Sequence, residues 1–334
     1  KLIEVKNVAY YLRSLITALL LSTLLVVTSV YGTTIYSSEN AGPLHIRSQS
    51  PVHGLRYTPT PLGAYALKKG ETRVSLGTDV SSIWANGDEF VMDFNMTDTR
   101  LDLEHGLGNG WTLRGSIGER RIVNAHLDQP TINFHNAVGL GQDGRRDVEK
   151  HRALIEIPEY DIYVTGFNNQ AFSQPVIAGV SKQVYHQHSL AVAVTLQAQV
   201  ETASTSWTEQ GSIDTSLQFD ASKRLQQFSL HGSFAYTWFE QDDFLGLPMR
   251  DNLYHASSSF QWHQSKDGSW LIQYLVNEGA ADGAGELKKV NHEMSLGYQR
   301  YWQTVKAELA ITENLFHLYN SPDIAFHGSI TMSI

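Results

Sequence analysis

Phe228-Ser229-Leu230-His231-Gly232-Ser233-Phe234-Ala235-Tyr236-Thr237-Trp238 decides the fold. Its aromatic and aliphatic residues, Phe228, Leu230, Phe234, Tyr236 and Trp238, share one parity. Ser229, His231, Ser233 and Thr237 share the other. Side chains switch face at each residue of a strand, so this stretch has one apolar and one polar face. The same alternation recurs around Val74–Val80, Leu101–Leu103, Trp111–Ile117, Leu190–Val200, Tyr254–Trp262, Met294–Tyr298, Val305–Ile311 and Phe326–Ile334. A soluble sandwich also alternates, with its apolar face inward. Here the polar parity carries charges, and the apolar parity gathers Trp111, Trp238, Trp262, Trp270, Tyr298 and Tyr301 near strand ends. The segments also exceed the usual strand of about 5–6 residues. Long strands, a polar interior and interfacial aromatics predict an all-β, transmembrane antiparallel β-barrel with lipid outside. Lipid-exposed sheet must close, because an open edge leaves backbone groups unpaired.

The joins agree. Gly108-Asn109-Gly110, His186-Gln187-His188, Ser265-Lys266-Asp267-Gly268 and Gln303 are short connections. They alternate with longer polar joins near 122–150, 203–211, 240–251, 279–288 and 315–324, as periplasmic turns alternate with extracellular loops. The count is about 12 strands: near 72–85, 89–106, 110–121, 173–185, 189–202, 212–220, 225–239, 252–264, 269–278, 289–302, 304–314 and 325–334. A hairpin at 151–157 and 160–167 gives 14 as the alternative. Its arms are short of the ~9–11 residues that span a bilayer, which places it in or above the long loop.

Ahead of the strands, Lys1, Lys6 and Arg13 precede the uncharged apolar run Ser14–Tyr31, and Gly32 follows. That is the layout of a signal helix, so residues 1–32 are expected to be a cleaved signal peptide. Residues 33–70 contain Pro43, Pro51, Pro59 and Pro61 and little alternation. They are expected to form a periplasmic or lumen-tucked N-terminal arm, with a partial plug as the functional alternative. Residues 71–334 are expected to form the barrel. Charged residues are 18% of the chain, which excludes a charged disordered protein, and the net charge of −9 argues against nucleic acid as a partner. With no cysteine, disulfides, thiolate metal sites and a cysteine nucleophile are excluded.

Three stretches carry a resemblance. They are Gly42–Pro51 with His53-Gly54-Leu55-Arg56 and Thr58–Pro61, then Asn133–Leu140 with Gly144-Arg145-Arg146, then Asn320–His327. Through them the chain resembles a family of proteobacterial proteins of unknown function, understood as outer-membrane β-barrels. The resemblance implies the bacterial outer membrane as location and supplies no catalytic residues. One departure is the last residue, usually aromatic in such barrels and here Ile334.

Candidate chemistry is sparse. Arg73, Asp79, Arg100, Asp102, Glu104, Arg114, Lys306 and Glu308 fall on or near the lumen side, with Arg120. They are expected either to pair with one another and fill the lumen or to line a conduit. His-x-Ser occurs at His231/Ser233, His255/Ser257 and His327/Ser329. Outer-membrane lipid hydrolases use such a pair, but these face the lumen and lack a flanking signature. His126, Asp128, His135 and Asp143 in the long loop, and His186 with His188 in a turn, lack metal-ligand spacing, so no metal and no cofactor are expected. Gly139–Gly144 follows no strand–helix pattern and is not a nucleotide loop. The expected function is a pore or passage for small solutes, not an enzyme. The alternatives are a closed structural or interaction barrel acting through loop 122–150 and a lipid hydrolase. Expected partners are outer-membrane lipid, lipopolysaccharide and small solutes.

Overall fold

The computed structural model describes residues 41–334 except 140, 143, 204–208 and 317. The expected signal segment and the start of the arm lie outside the described residues. Strands β1 (Thr72–Asn86), β2 (Val91–Gly108) and β3 (Trp111–Val123) come first. Three short strands follow: β4 (Leu154–Ile157), β5 (Ile162–Thr165) and β6 (Ala171–Ser173). Next are β7 (Pro175–Gln187), β8 (Leu190–Glu201), β9 (Ile213–Arg224) and β10 (Phe228–Trp238). The ribbon β11 (Asp243–Phe244) and β12 (Leu247–Pro248) precedes β13 (Asn252–Ser265) and β14 (Gly268–Asn277). Finally come β15 (Asn291–Trp302), β16 (Val305–Phe316) and β17 (Ile324–Ser333).

Twelve of these close an antiparallel ring: β1, β2, β3, β7–β10 and β13–β17. Each neighbour in the ring is the next long strand in sequence, and β1 pairs β17 over ten Cα partners, from Arg73↔Ser333 to Ser82↔Ile324. The hairpin β4–β5 pairs with the end of β2 far from the chain termini, the outer end, and stays out of the ring, which settles the count at 12 rather than 14.

The turns at the termini's end are tight because their residues accept left-handed backbone. Asn109 and Gly110 have φ of 50° and 78°, and His188 and Ser189 have 48° and 62°. Two positive φ values in succession give the turn whose twist matches paired strands. The second turn therefore lies at His188-Ser189, one step beyond the expected His186–His188, and β7 continues through Gln187.

Leu76, Leu101, Leu113, Ile117, Leu196, Phe234, Leu296, Leu309 and Ile330 are exposed on the outward parity, the face that meets lipid. Trp111, Trp262, Trp270 and Trp302 are exposed near the inner turns, and Trp238 near the outer end. Tyr301 corrects the expected aromatic set. It faces the lumen, 6% exposed, and shares hydrogen bonds with Gln261 and Gln299. Its parity on β15 is that of Gln299, which alternation alone already dictated.

The long loop after β3 is not the plain polar join that was expected. Helix α1 (Asp128–Val138) forms in it and ends at Gly139, whose φ of 77° lets its N–H return to the His135 carbonyl. This loop folds back over the outside of the wall. Ser82 and Ile324 are Cα partners and fully buried, although their parity points outward. Arg145 donates to the Ser82 hydroxyl at 2.5 Å and to Asp128 at 2.8 Å, and it pairs with Asp323. Arg152 pairs with outward-facing Asp93 at 2.8 Å, and the Leu127 N–H bonds Asn95 at 3.3 Å. His135 of α1 lies 3.9 Å from Glu313 of β16 and 3.6 Å from Asp323. Polar residues thus replace lipid-facing ones where protein, not hydrocarbon, covers the sheet.

The outer mouth is capped by an apolar cluster. Inward-facing Ile83, Met92, Phe94, Met96, Ile122 and Leu253 meet Phe167, Phe172, Phe244, Leu247 and Leu287 from the loops. Phe94 contacts Phe167 edge-on with centroids 5.9 Å apart.

Candidate functional site: the arm-filled lumen

Residues 41–71 run inside the ring as a U. The ascending limb starts at the inner end, where Gln299 donates to the Gly42 carbonyl at 3.1 Å. One turn higher, the Gln273 amide accepts from the Leu44 N–H at 2.9 Å and donates to the Leu44 carbonyl at 3.1 Å. Leu44 fits because β15 has Gly297 there; a Cβ would come within 2.7 Å of a Leu44 methyl. Higher still, Glu293 accepts from the Ser48 hydroxyl at 2.8 Å and from the Gln49 N–H at 3.2 Å. At the tip, Val52 and Leu55 enter the apolar cap and His53 donates to the Glu278 carbonyl at 2.8 Å.

The descending limb follows the opposite wall. Arg56 donates to the carbonyls of Arg250 and Gln241 and stacks 3.8 Å from the Phe239 ring. Tyr57 bonds Gln197. Gln218 donates to the Thr60 carbonyl at 3.1 Å, Asp220 accepts from Leu62 N–H at 3.3 Å, and Ser222 accepts from Ala64 N–H at 3.0 Å. The arm leaves beside Gly106, whose carbonyl accepts from Gly70 N–H at 2.8 Å.

At mid-height the two limbs meet a buried ionic cluster. Arg47 grips Asp98 with two bonds of 2.6 and 2.7 Å, and Arg120 adds a third at 3.1 Å. Asp98 and Arg47 are each about 1% exposed or less. Arg120 also donates to the His53 carbonyl at 2.9 Å. Arg100 reaches both limbs, at the His45 carbonyl (2.8 Å) and the Thr60 hydroxyl (2.7 Å). Two charges this deep are tolerable only because each finds an opposite charge with matched geometry.

The residues singled out from sequence distribute around this cluster. Asp79 accepts from His327 at 2.9 Å and lies 3.9 Å from Arg100. Arg73 lies 3.0 Å from Glu71, and Lys306 lies 2.8 Å from Glu308. Glu104 pairs with Arg114, which also donates to Ser181 at 2.6 Å. Asp102 is 3.6 Å from His45. Arg73, Asp102, Glu104, Arg114 and Lys306 line a cavity of about 100 Å³ at the inner end, bounded by arm residues Gly42, His45 and Leu62.

The three His-x-Ser pairs do not join. His231 bonds Ser222 at 2.9 Å, His255 bonds Asn277 at 2.8 Å and His327 bonds Asp79. Ser233 donates to Asp220 and Ser329 to Glu308. Among the described residues no group of three or more ligating side chains is placed to hold a metal.

Sequence reasoning missed Arg47, Asp98, Gln273 and Glu293 as arm contacts. A signal existed for Asp98, which continues the parity of Arg100, Asp102 and Glu104 along β2. For Gln273 and Glu293 the partners lie 229 and 245 residues away, beyond any local pattern.

A closed antiparallel ring of twelve strands, apolar outside and polar within, defines a porin-like outer-membrane β-barrel fold. The chain belongs to the family described as protein of unknown function (DUF3187), whose profile matches residues 17–334. Among solved structures it is similar to an outer membrane channel (COG4313) from Pseudomonas putida F1, at 13% identity and a TM-score of 0.54, covering 81% of this chain and 98% of that one. It is also similar to the NanC porin, at 12% identity and a TM-score of 0.45 over 78% and 98% of the two chains. The KdgM porin solved with disordered oligogalacturonate is 7% identical, with a TM-score of 0.44 over 78% and 99%. No curated protein matches the sequence.

Proposed function

We propose that this protein is a passage for small solutes across the bacterial outer membrane, closed at rest by its own N-terminal arm. One observation carries the reading: a tethered segment fills the lumen among the wall's own side chains. Eight strands leave an interior that side chains just fill, and twelve leave more. Here the surplus is taken by residues 41–71, which are fixed to the wall by side-chain bonds and continue covalently into β1 at the inner end. A segment held this way leaves without breaking a single ring pairing. The channel-like fold shared with the Pseudomonas putida protein supports the same reading. The lipid-hydrolase alternative gains no support, since each His-x-Ser histidine bonds a residue other than its serine.

The test is planar-bilayer conductance of the refolded chain and of a chain lacking residues 41–69, each shown to be a barrel by heat-modifiable migration. The full chain is expected to be mostly silent and the shortened one to show discrete steps. A folded, arm-less barrel that stays silent overturns the proposal.

A further inference from the structure

The arm is bound in an unusual way for a structural filler. Most of its wall bonds go to its backbone, not to its side chains. Wall carboxylates accept its N–H groups, at Glu293 for Gln49 and at Asp220 for Leu62. Wall guanidiniums donate to its carbonyls, from Arg100 to His45 and from Arg120 to His53. Wall amides do the same at Gly42 and Thr60, and Gln273 does both on one residue, Leu44. A primary amide that donates and accepts on one residue matches the pattern of a peptide unit. Opposite sides of the ring engage the two limbs, which run in opposite directions, and Arg100 reaches both.

Charge adds a second, independent feature. Residues 41–70 contain Arg47, Arg56, Lys68 and Lys69 and no Asp or Glu. The carboxylates the arm's arginines meet come from the ring, at Asp98 and Asp214, and from the loops beside β11–β14, at Asp242, Asp251 and Asp282. Asp98 takes Arg47, and Asp214 and Asp251 act electrostatically on Arg56. The arm is thus a basic, proline-punctuated, extended chain in a lumen that binds its backbone and sets Asp98 against Arg47 between the wall's own Arg100 and Arg120.

Resting on the passage reading above, we propose that the arm occupies the place of the solute, and that the solute class is extended, basic, acid-free oligopeptides. Such a chain satisfies the same wall donors and acceptors without the arm's sequence, because backbone groups are common to all peptides. A small inorganic ion would leave most of them unpaired in a dry site.

The test keeps the whole chain. A specific protease site is inserted after Lys69, at the exposed inner end; the protein is folded, then cut, so the ring forms with its arm in place. Fluorescent synthetic peptides are added and uptake is followed by anisotropy, with an Arg47→Gln version, whose own arm leaves faster, run alongside. Three peptides are compared: the arm sequence 41–69, the same peptide with Arg47→Glu and Arg56→Glu, and an unrelated extended peptide of Arg, Pro, Gln and Leu. The first and third are expected to exchange in, and the second to bind at least about tenfold more weakly. Uptake of the arm sequence alone, equal uptake of the acidic peptide, or no uptake by either protein overturns the proposal. Conductance of the cut barrel is read separately. A barrel that takes up peptide yet never conducts sinks the passage reading alone. One that conducts without discriminating among the peptides sinks the peptide assignment alone.

Discussion

Replacing Arg47 with Gln should release the arm about a hundredfold more often. Arg47 makes two bonds to Asp98, at 2.6 and 2.7 Å, both charge-assisted and fully buried. Bonds to charged groups contribute about 1.5–3 kcal/mol each, and Gln restores roughly one neutral bond of ~1 kcal/mol. Asp98 is not abandoned, because Arg120 remains at 3.1 Å and Arg100 at 4.0 Å. The loss is therefore held near about 3 kcal/mol, below the upper end for a broken buried pair. Since 1.36 kcal/mol is a factor of ten, that is about 100-fold in the undocked population. Asp98→Asn should do more, because it leaves three guanidiniums facing one another with their shared counter-charge removed. The chain has no cysteine, so Val52→Cys supplies a single thiol at a site 1% exposed on the arm tip. When redocking is fast, the rate of labelling by a water-soluble maleimide follows the open fraction. The expected order is parent, then Arg47→Gln, then Asp98→Asn. A rate for Arg47→Gln within about threefold of the parent refutes the reasoning. So does an equal rise at Ala281→Cys, a buried reporter in the outer cap, which would mean general loosening and not arm release.

Acid should act in the same direction. Burial, with help from neighbouring His255, Arg56 and Arg120, pushes His53 down to about 3. Its free value is 6.5, so docking is fully supported above that pH and weakens as pH falls from 6.5 towards 3. At pH 5 the loss is about 2 kcal/mol, read as faster Val52→Cys labelling than at pH 7.5; equal rates, corrected for reagent chemistry, would count against it. Gly297→Val should crowd Leu44 on the ascending limb and raise channel activity while heat-modifiable migration is kept; a silent, folded variant would show the wall yields instead. Arg145→Ala should free the loop carrying α1, since Asp128 and Asp323 then face each other without their cation, at a cost of about 3 kcal/mol. Limited proteolysis between α1 and β4 should speed up at least tenfold, whereas an unchanged digestion rate would place the loop's anchor elsewhere.

What could be read from sequence followed locality. The ring was legible because period-two alternation is a property of ten consecutive residues, and the expected strand near 269–278 forms as Gly268–Asn277. Ends were less legible. β9 runs on to Arg224, past the expected 220, because Ser222 still lies on the lumen parity and bonds His231. The covered flank left a trace that went unread: Ser82, Asp93, Asn95 and Glu313 are polar on an otherwise apolar parity, at the outer ends of β1, β2 and β16. Such a break marks where lipid stops and protein begins. The course of the arm left none, because its partners are scattered over β2, β9, β14 and β15 and only the closed ring brings them together.

The pairing of β1 with β17 bears on how such a molecule is made. These are the first and last long strands of the ring, so the ring cannot seal until residues 324–333 are available. Until then two unpaired sheet margins stand open, each a template for another chain. Synthesis proceeds from the other end, so every copy passes through a stage with eleven long strands available and no partner for the twelfth position. Keeping those margins apart from other copies until the seam closes is a burden of the topology itself. Because β1 directly follows the arm, the last seam to form is also the one that fixes the arm's anchor point.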